Sequence, residues 1–336
     1  MNPPVEARKQ LRSMKERAFF TEREWENWLL FYSVPLLKNI LKNKYLSHWA
    51  LLVQAIHILL QTEISVQMMN AADLLLLEFV GKVEALYGRH MMRYNVHLLL
   101  HFVQNVSRHG GLFALSAYAS ECGNQDLKKM IFASNGIPNQ VCRNQSEKLA
   151  LKTMKLMAVS KKVETFMSSI DKKQKPTSVG KIQLFGKGTS FQSPSPQERW
   201  LLSKYKIDVN HCILYTYLKK DGYIFRPRKE VQRLRTDNSI ALLKDGSAVK
   251  VKKVFHNEMD NKVWVFASKV NCRPSKYCHQ AVLNLKRLSL CFLLDVTSID
   301  EELLSIPASS FNRVFVNLNQ PHGHSLSPIP NNFNMF

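Results

Sequence analysis

The chain has 336 residues, room for two ordinary domains, and its 45% apolar and 22% charged side chains exclude global disorder. Lys and Arg number 47 against 26 Asp and Glu, a formal net charge of +21 that favours a polyanionic partner, most often nucleic acid, over an acidic or neutral small-molecule enzyme. Six scattered cysteines with no Cys-x-x-Cys pair argue against a disulfide-stapled secreted scaffold and for a reducing compartment.

The N-terminus, Met1 to Arg17, is polar and carries no signal-peptide core. Periodicity then predicts helices in succession. The first is Arg12 to Phe31, which Pro35 interrupts or restarts. Leu36 to Tyr45, Ser47 to Glu63 and Val66 to Tyr87 follow, with Ser47 and Ser65 as caps. Trp49 to Leu60 is the most apolar run, but Gln54 and His57 interrupt it and it is too short for a bilayer, so a buried helix and no membrane partner are expected. Tyr94 to Ser107 ends at His109-Gly110-Gly111. Glu121 to about Phe132 and Gln145 to Ile170 complete the helical half.

From Asp171 the composition shifts to Lys, Ser, Gly and Pro, as in Lys172-Lys173-Gln174-Lys175-Pro176 and Ser193-Pro194-Ser195-Pro196, which reads as a linker. Hairpins follow. Cys212 to Leu218 and Tyr223 to Phe225 flank Lys219-Lys220-Asp221-Gly222, and Ser239 to Leu243 and Ala248 to Phe255 flank Lys244-Asp245-Gly246. Val249 and Val251 alternate with Lys250 and Lys252, which predicts one buried and one basic face. Asn257 to Asn261 turns the chain into Val263 to Val270. The expected fold is therefore α+β: a mainly helical region, 1–170, a basic linker, 171–198, a small all-β barrel-like domain, 199–297, and a disordered polar tail, 298–336. Residues 199–290 carry 20 basic and 7 acidic side chains, a net of +13, against +8 for residues 1–165.

Within Arg226-Pro227-Arg228-Lys229-Glu230-Val231-Gln232-Arg233-Leu234-Arg235, the five cations Arg226, Arg228, Lys229, Arg233 and Arg235 suit phosphate contacts; a solvated loop is the plainer alternative. Tyr215, Tyr217, Tyr223 and Phe225 lie close by, as base-stacking groups or as core. His97 and His101 are four apart on a helix, a spacing that holds zinc or is satisfied by neighbours. Cys272, Cys278 and His279 lack a fourth ligand at useful spacing.

The most informative order of motifs runs from Tyr87 to Lys129: Tyr87-Gly88, Asn95-Val96-His97-Leu98-Leu99-Leu100-His101, Gly110-Gly111-Leu112-Phe113, and Glu121-Cys122-Gly123-Asn124-Gln125-Asp126-Leu127-Lys128. It resembles the C-terminal part of CACTA (EnSpm)-type transposases, which read Tyr-Gly, Asn-x-His-x-Leu-x-His, Gly-Pro-Leu-Trp and Phe-Glu-x-x-Asn-Gly-x-Leu-Lys. Arg23-Glu24-Trp25, Leu30-Phe31-Tyr32 and Val34-Pro35-Leu36-Leu37 are similar to the family as well. The resemblance covers residues 15–145, and the β domain more loosely. It implies that the helical half is part of an RNase H-like core, in which three carboxylates hold two divalent metals. Glu121 matches the family glutamate, as third carboxylate or as a helix N-terminal acid, and Asn124 and Lys128 match the polar side of its helix. Ser120, Gln125, Gly111 and Phe113 depart from the family's residues. The two upstream aspartates are not found: Asp73, the only aspartate before Glu121, sits in an apolar helical stretch. Mg²⁺ or Mn²⁺ would be needed only if those carboxylates exist, and no other cofactor is expected. The resemblance and the charge together lead to the expectation of a transposon-derived, catalytically incomplete nuclear protein that binds DNA or chromatin. The alternatives are the C-terminal portion of a functional cut-and-paste transposase and a protein-interaction scaffold. Lys172 to Lys175 is a candidate nuclear localisation patch, with the cytoplasm as the alternative location.

Overall fold

The structure, a computed structural model, describes residues 4–7, 11–157, 160–162, 166, 176–228, 236–320 and 323–330. It is α+β, with helices first and antiparallel sheets after them. Two compact units are present, but they do not divide the chain at the composition shift. Residues 1–114 and 176–335 form one unit, and residues 115–175 form the other. The helices expected to stand as a domain over 1–170 are therefore split, and most of them share a core with the β region.

In the first unit, α1 (Glu22–Asn27) starts at a capping box. Glu24 accepts from the backbone and hydroxyl of Thr21, and its buried carboxylate also binds Arg12. The helix runs on through a π-helical turn, Trp28–Tyr32, into α2 (Ser33–Leu37), so Pro35 neither stops nor restarts it. A π-helical turn is one of the ways a helix accommodates a local break in its ladder. The long pair α3 (Asn43–Leu59) and α4 (Val66–Tyr87) follows. The Ser65 hydroxyl caps α4 by accepting from the Met68 amide at 3.3 Å, as its position predicts. Ser47 caps nothing, because α3 begins four residues earlier. Leu51, Ala55, Ile58 and Leu59 pack with Ala72, Leu75, Leu76 and Phe79 in a core that also takes in Val106 of α6 (Phe102–His109), which follows the short α5 (Tyr94–Leu98).

The strands are β1 (Thr177–Val179), β2 (Ile182–Phe185), β3 (Thr189–Ser190), β4 (Cys212–Tyr215), β5 (Tyr217–Lys220), β6 (Tyr223–Phe225), β7 (Ile240–Leu243), β8 (Ala248–Asn257), β9 (Lys262–Pro274), β10 (Leu294–Pro307), β11 (Phe311–Gln320) and β12 (Gly323–Pro328). Six of them close into a ring of antiparallel neighbours: β8 pairs with β9, β9 with β10, β10 with β12, β12 with β11, β11 with β7, and β7 with β8. The Lys244-Asp245-Gly246 turn is present as read; of Lys219-Lys220-Asp221-Gly222 only Asp221 and Gly222 turn, since Lys219 and Lys220 end β5, and the expected strand Cys212 to Leu218 is split at Thr216 into β4 and β5, which belong to different sheets. Gly222 (φ 84°) joins β5 to β6, and Gly246 (φ 89°) joins β7 to β8. The barrel is closed by the segment expected to be disordered: most of β10, and all of β11 and β12, lie beyond residue 297. The expected linker also carries β1, β2 and β3, and Ser195-Pro196 is a helix start. Ser195 caps α9 (Pro196–Lys204) in a capping box with Glu198, and Pro196 occupies the first turn, where its missing amide costs nothing. Residues 171–175, including the Lys172 to Lys175 patch, lie outside the described residues.

Side chains alternate between the faces of a strand, so consecutive buried residues mean that both faces are covered. Val314, Phe315 and Val316 on β11 are all fully buried, as are Val265, Phe266 and Ala267 on β9. Leu201 and Leu202 of α9 cluster with Phe255 and Phe266. Leu30, Phe31, Val34, Leu46, Ala50 and Val53 of the N-terminal helices belong to the same core as the ring. Polar contacts tie the two layers as well: Gln54 accepts from the His279 amide at 2.9 Å, Arg313 donates to Gln61 at 2.5 Å, and Asn238 accepts from the Val5 amide at 3.0 Å. Val249 and Val251 are buried while Lys250 is half-buried and Lys252 exposed, as the alternation predicts.

The second unit contains α7 (Tyr118–Lys128) and α8 (Ile137–Met157). Gln140 bridges their connection by accepting from the Phe132 and Ala133 amides and donating to the Ala133 and Asn135 carbonyls. Among the described residues no helix is long and apolar enough to cross a membrane.

Two outcomes follow. A chain ending at residue 297 loses β11, β12 and their pairings with β7 and β10, so it should lack a cooperative thermal transition by circular dichroism; a truncated chain melting like the full one would refute the ring. The second concerns His57, which is fully buried with no hydrogen bond of good geometry at either ring nitrogen. Burial and the Arg313 charge push its pKa down to about 3, with the Ser289 backbone offsetting part of the shift. The folded state thus excludes a proton that the unfolded state accepts below about pH 6.5. This contribution to stability is complete above that pH and is lost at up to about 1.4 kcal/mol per pH unit as pH falls from about 6.5 towards 3. Denaturant titrations at pH 7, 5.5 and 4.5 should show a steeper decline for the native chain than for His57→Leu; equal slopes would count against this account.

Candidate nucleic-acid interface

The smaller sheet, in the order β1-β2-β5-β6, is amphipathic. Leu184, Leu218 and Phe225 are buried on its inner face. Strand pairing places Phe185 opposite Tyr217, Gln183 opposite Lys219, and Lys219 opposite Ile224, which puts these residues together on the outer face. The Phe185 and Tyr217 rings stack with centroids 4.8 Å apart and planes 4° from parallel. Arg226, just after β6, lays its guanidinium over Tyr217 at 4.3 Å from the ring centroid. Three flat groups, from β2, β5 and the residue that follows β6, thus form one row, and the half-buried Lys219 and exposed Lys181 and Lys187 lie on these strands or just beyond their ends.

A tight corner holds the row in place. β4 passes into β5 through Thr216, whose amide donates to the Phe185 carbonyl at 3.0 Å. Gly186, next to Phe185, has φ 103°, and a Cβ there would sit 2.2 Å from the Thr216 hydroxyl. Only glycine allows that approach, and it sets Phe185 beside Tyr217.

The five cations read from the sequence are not equivalent. Arg226 is the stacked group described above, and its Nε is buried without a hydrogen-bond partner. Arg228 is committed elsewhere: its Nη1 donates to the buried carboxylate of Asp237 at 2.8 Å. Asp237 also accepts from the amide and hydroxyl of Ser239 and from Asn317, whose side-chain oxygen meets His324 at 2.5 Å. Burial would raise the Asp237 pKa, but the Ser239, Asn317 and Arg228 hydrogen bonds outweigh it and hold the carboxyl below its usual range. Lys229, Arg233 and Arg235 lie outside the described residues. Of the aromatics, Tyr223 and Phe225 are core, Tyr217 is on the outer row, and Tyr215 is half-buried with its hydroxyl 3.4 Å from that of Thr177.

The family-motif residues are exposed. Asn95 and His97 lie on α5, and His101 follows, with the two Nε2 atoms 3.3 Å apart. Each ring thus finds its neighbour in the other, and two nitrogens alone do not make a zinc site. Cys278 is buried, and His279 meets Glu78 at 3.2 Å. Glu121, Asn124 and Lys128 share one side of α7, in the other compact unit. Asp126, the other carboxylate of that helix, pairs with Lys129 at 2.8 Å. The described residues contain no group of three His, Cys, Asp or Glu placed to share a metal ion. They do not fit a two-metal centre, and no metal-assisted step follows from them.

Phe185 escapes the sequence reading because it falls in the stretch taken for a linker. The available signal was the alternation Ile182-Gln183-Leu184-Phe185 before Gly186. Comparison with family models, curated proteins and solved structures gives no match to this chain.

Because Arg228 neutralises a buried carboxylate, Arg228→Ala should lower stability by about 1–3 kcal/mol in denaturant titration, the range for leaving a buried polar group short of a partner. Lys252→Ala, at an exposed lysine, should change it by less than about 0.5 kcal/mol. Equal stability of the two variants would show that the Asp237 network does not depend on Arg228.

Proposed function

We propose that this protein is a transposon-derived, catalytically incomplete nuclear protein that binds DNA, and that the Phe185-Tyr217-Arg226 row is its contact with unpaired bases. The observation that carries this reading is the row itself: two parallel rings and a guanidinium, held by a glycine corner on the outer face of a sheet, with lysines beside them. Base stacking on such a platform contributes about 1–3 kcal/mol per base without sequence preference. Phosphate contacts by Lys181, Lys187 and Lys219 would add salt-dependent affinity by releasing counterions. The net charge of +21 supports a polyanionic partner, and the order of motifs from Tyr87 to Lys128 supports a CACTA-type origin.

The test is fluorescence anisotropy with a single-stranded oligonucleotide and its duplex over a series of salt concentrations. Tyr217→Ala and Phe185→Ala should each weaken single-strand binding about 5- to 100-fold, the ratio equivalent to losing one stacked base. Replacing Lys181, Lys187 and Lys219 by Gln should flatten the salt dependence by about 0.7 per lost contact. Unchanged affinity in both ring variants would remove the platform from the reading, and no binding by the native chain at low salt would remove nucleic acid altogether.

A further inference from the structure

A second feature lies apart from the stacking row: a cavity of about 650 Å³ at the end of the barrel where β7 turns into β8 and β11 begins. Lys244, Lys286, Arg287 and Arg313 line it, with Glu63 and Asp245 as the only carboxylates among its lining residues. None of the four cations makes an ion pair with a described residue. Asp245 is occupied locally, its oxygen accepting from the Ser247 amide at 2.8 Å and the Ser247 hydroxyl at 2.7 Å. Glu63 feels the charge of Arg313 without reaching ion-pair distance.

Arg313 is the informative member. It is half-buried, and burial lowers its pKa, so its charge is held in a poorly solvated position. All its hydrogen bonds to described residues leave from one nitrogen, Nη1, to Gln61 Oε1 and to the Ile329 and Pro330 carbonyls. Its Nε and Nη2 hydrogens have no acceptor among the described residues. A guanidinium presents five donors in a fixed fork matched to phosphate, and here the unused side of the fork belongs to a residue lining the cavity.

Four cations against two carboxylates leave an excess of two positive charges. A phosphate monoester carries about −1.5 to −2 at neutral pH, which balances that excess, whereas a phosphodiester carries only one negative charge. The volume falls within the ~300–1,000 Å³ range of small-molecule pockets, and Met68, Leu242 and Leu290 supply apolar wall beside the charges. We propose that this cavity binds a phosphate monoester on a nucleotide-sized body, with Arg313 as the anchoring fork and Lys244, Lys286 and Arg287 as its charged rim. Two sources share this chemistry: a free nucleoside monophosphate and the 5′-phosphorylated end of a single strand. A duplex is too broad to enter; the site is distinct in place from the stacking row, and it does not depend on that row binding nucleic acid.

The experiment uses the full chain and isothermal titration with four probes: AMP, adenosine, and a short single-stranded oligonucleotide with either a 5′-phosphate or a 5′-hydroxyl. The native chain should bind at least one phosphorylated probe about ten-fold or more tightly than its unphosphorylated counterpart. Preference within the AMP pair identifies a free nucleotide as ligand, and preference within the oligonucleotide pair identifies a strand end. The triple variant Lys244→Gln/Lys286→Gln/Arg287→Gln replaces three exposed side chains, should keep the native melting temperature, and should reduce that preference to near one. Arg313→Lys keeps the charge without the fork and should lower the preference several-fold. The ratio within a pair cancels any general loss of attraction caused by removing positive charge. The proposal is overturned if the native chain shows no preference for the phosphorylated member of either pair, or if the folded triple variant retains it.

Discussion

Closure of the ring between β8 and β9 is the constraint on which the rest of the first unit depends. A closed antiparallel sheet has no exposed edge within the ring, but closure requires strands far apart in sequence to meet. β8 is the pivot. Its first residues, Ala248 to Lys250, pair with β7 inside the ring, while Val254 to Asn257 pair with β4 outside it. The register shifts between Val251 and Lys253 opposite β9, which lets one strand serve both partners. β4 then runs through Thr216 into β5, so the stacking sheet hangs from the second half of β8. The row of flat groups is placed by the barrel, although none of its members belongs to it.

Local signals were readable and non-local ones were not. Lys244-Asp245-Gly246 and Asp221-Gly222 specify their turns through a few residues whose backbone preferences suffice, although the strand before the second is β5, Tyr217–Lys220, and not the whole of Cys212 to Leu218. The segment from Leu294 to Pro328 carries no comparable mark. β10 presents Asp295, Asp300, Glu301 and Glu302, and β12 is Gly323-His-Ser-Leu-Ser-Pro, so polarity read alone suggests a tail. What makes these residues strands is the set of partners that meet them, Pro274 to Trp264 on β9 and Phe315 to Gln320 on β11, and no local pattern encodes that meeting. Ser195-Pro196 shows the reverse error. The same two residues that mark a linker also mark a helix start, and Glu198 three residues later decides between them.

Charge was legible as a total but not as a distribution of tasks. Arg226, Arg228, Lys244 and Arg313 are alike in sequence, yet their surroundings give them different work. Arg228 neutralises the buried Asp237 and belongs to the scaffold. Arg226 lies against a tyrosine ring, where its hydration is partly replaced by the π face. Arg313 ties the N-terminal helices to the barrel through Gln61 and has three of its five donors without an acceptor among the described residues. Only the three-dimensional structure separates these cases, because each depends on what meets the side chain: Asp237 within the same connection for Arg228, Tyr217 across a hairpin for Arg226, and Gln61 of the N-terminal helices for Arg313.

That separation bears on how a strongly basic protein achieves selectivity. Exposed lysines attract any polyanion and are screened within about 10 Å at 0.1 M salt, so they contribute attraction but little discrimination. Discrimination needs charge whose hydration has been partly removed and whose geometry is fixed before the ligand arrives, since the cost of ordering and desolvation is then met by folding. Arg226 and Arg313 satisfy both conditions in different ways, one on an open sheet suited to flat groups and one in a cavity suited to a compact dianion. Both depend on ring closure, the first through the β8–β4 branch and the second through β11, whose Arg313 would have neither Gln61 nor the Ile329 and Pro330 carbonyls as partners without it.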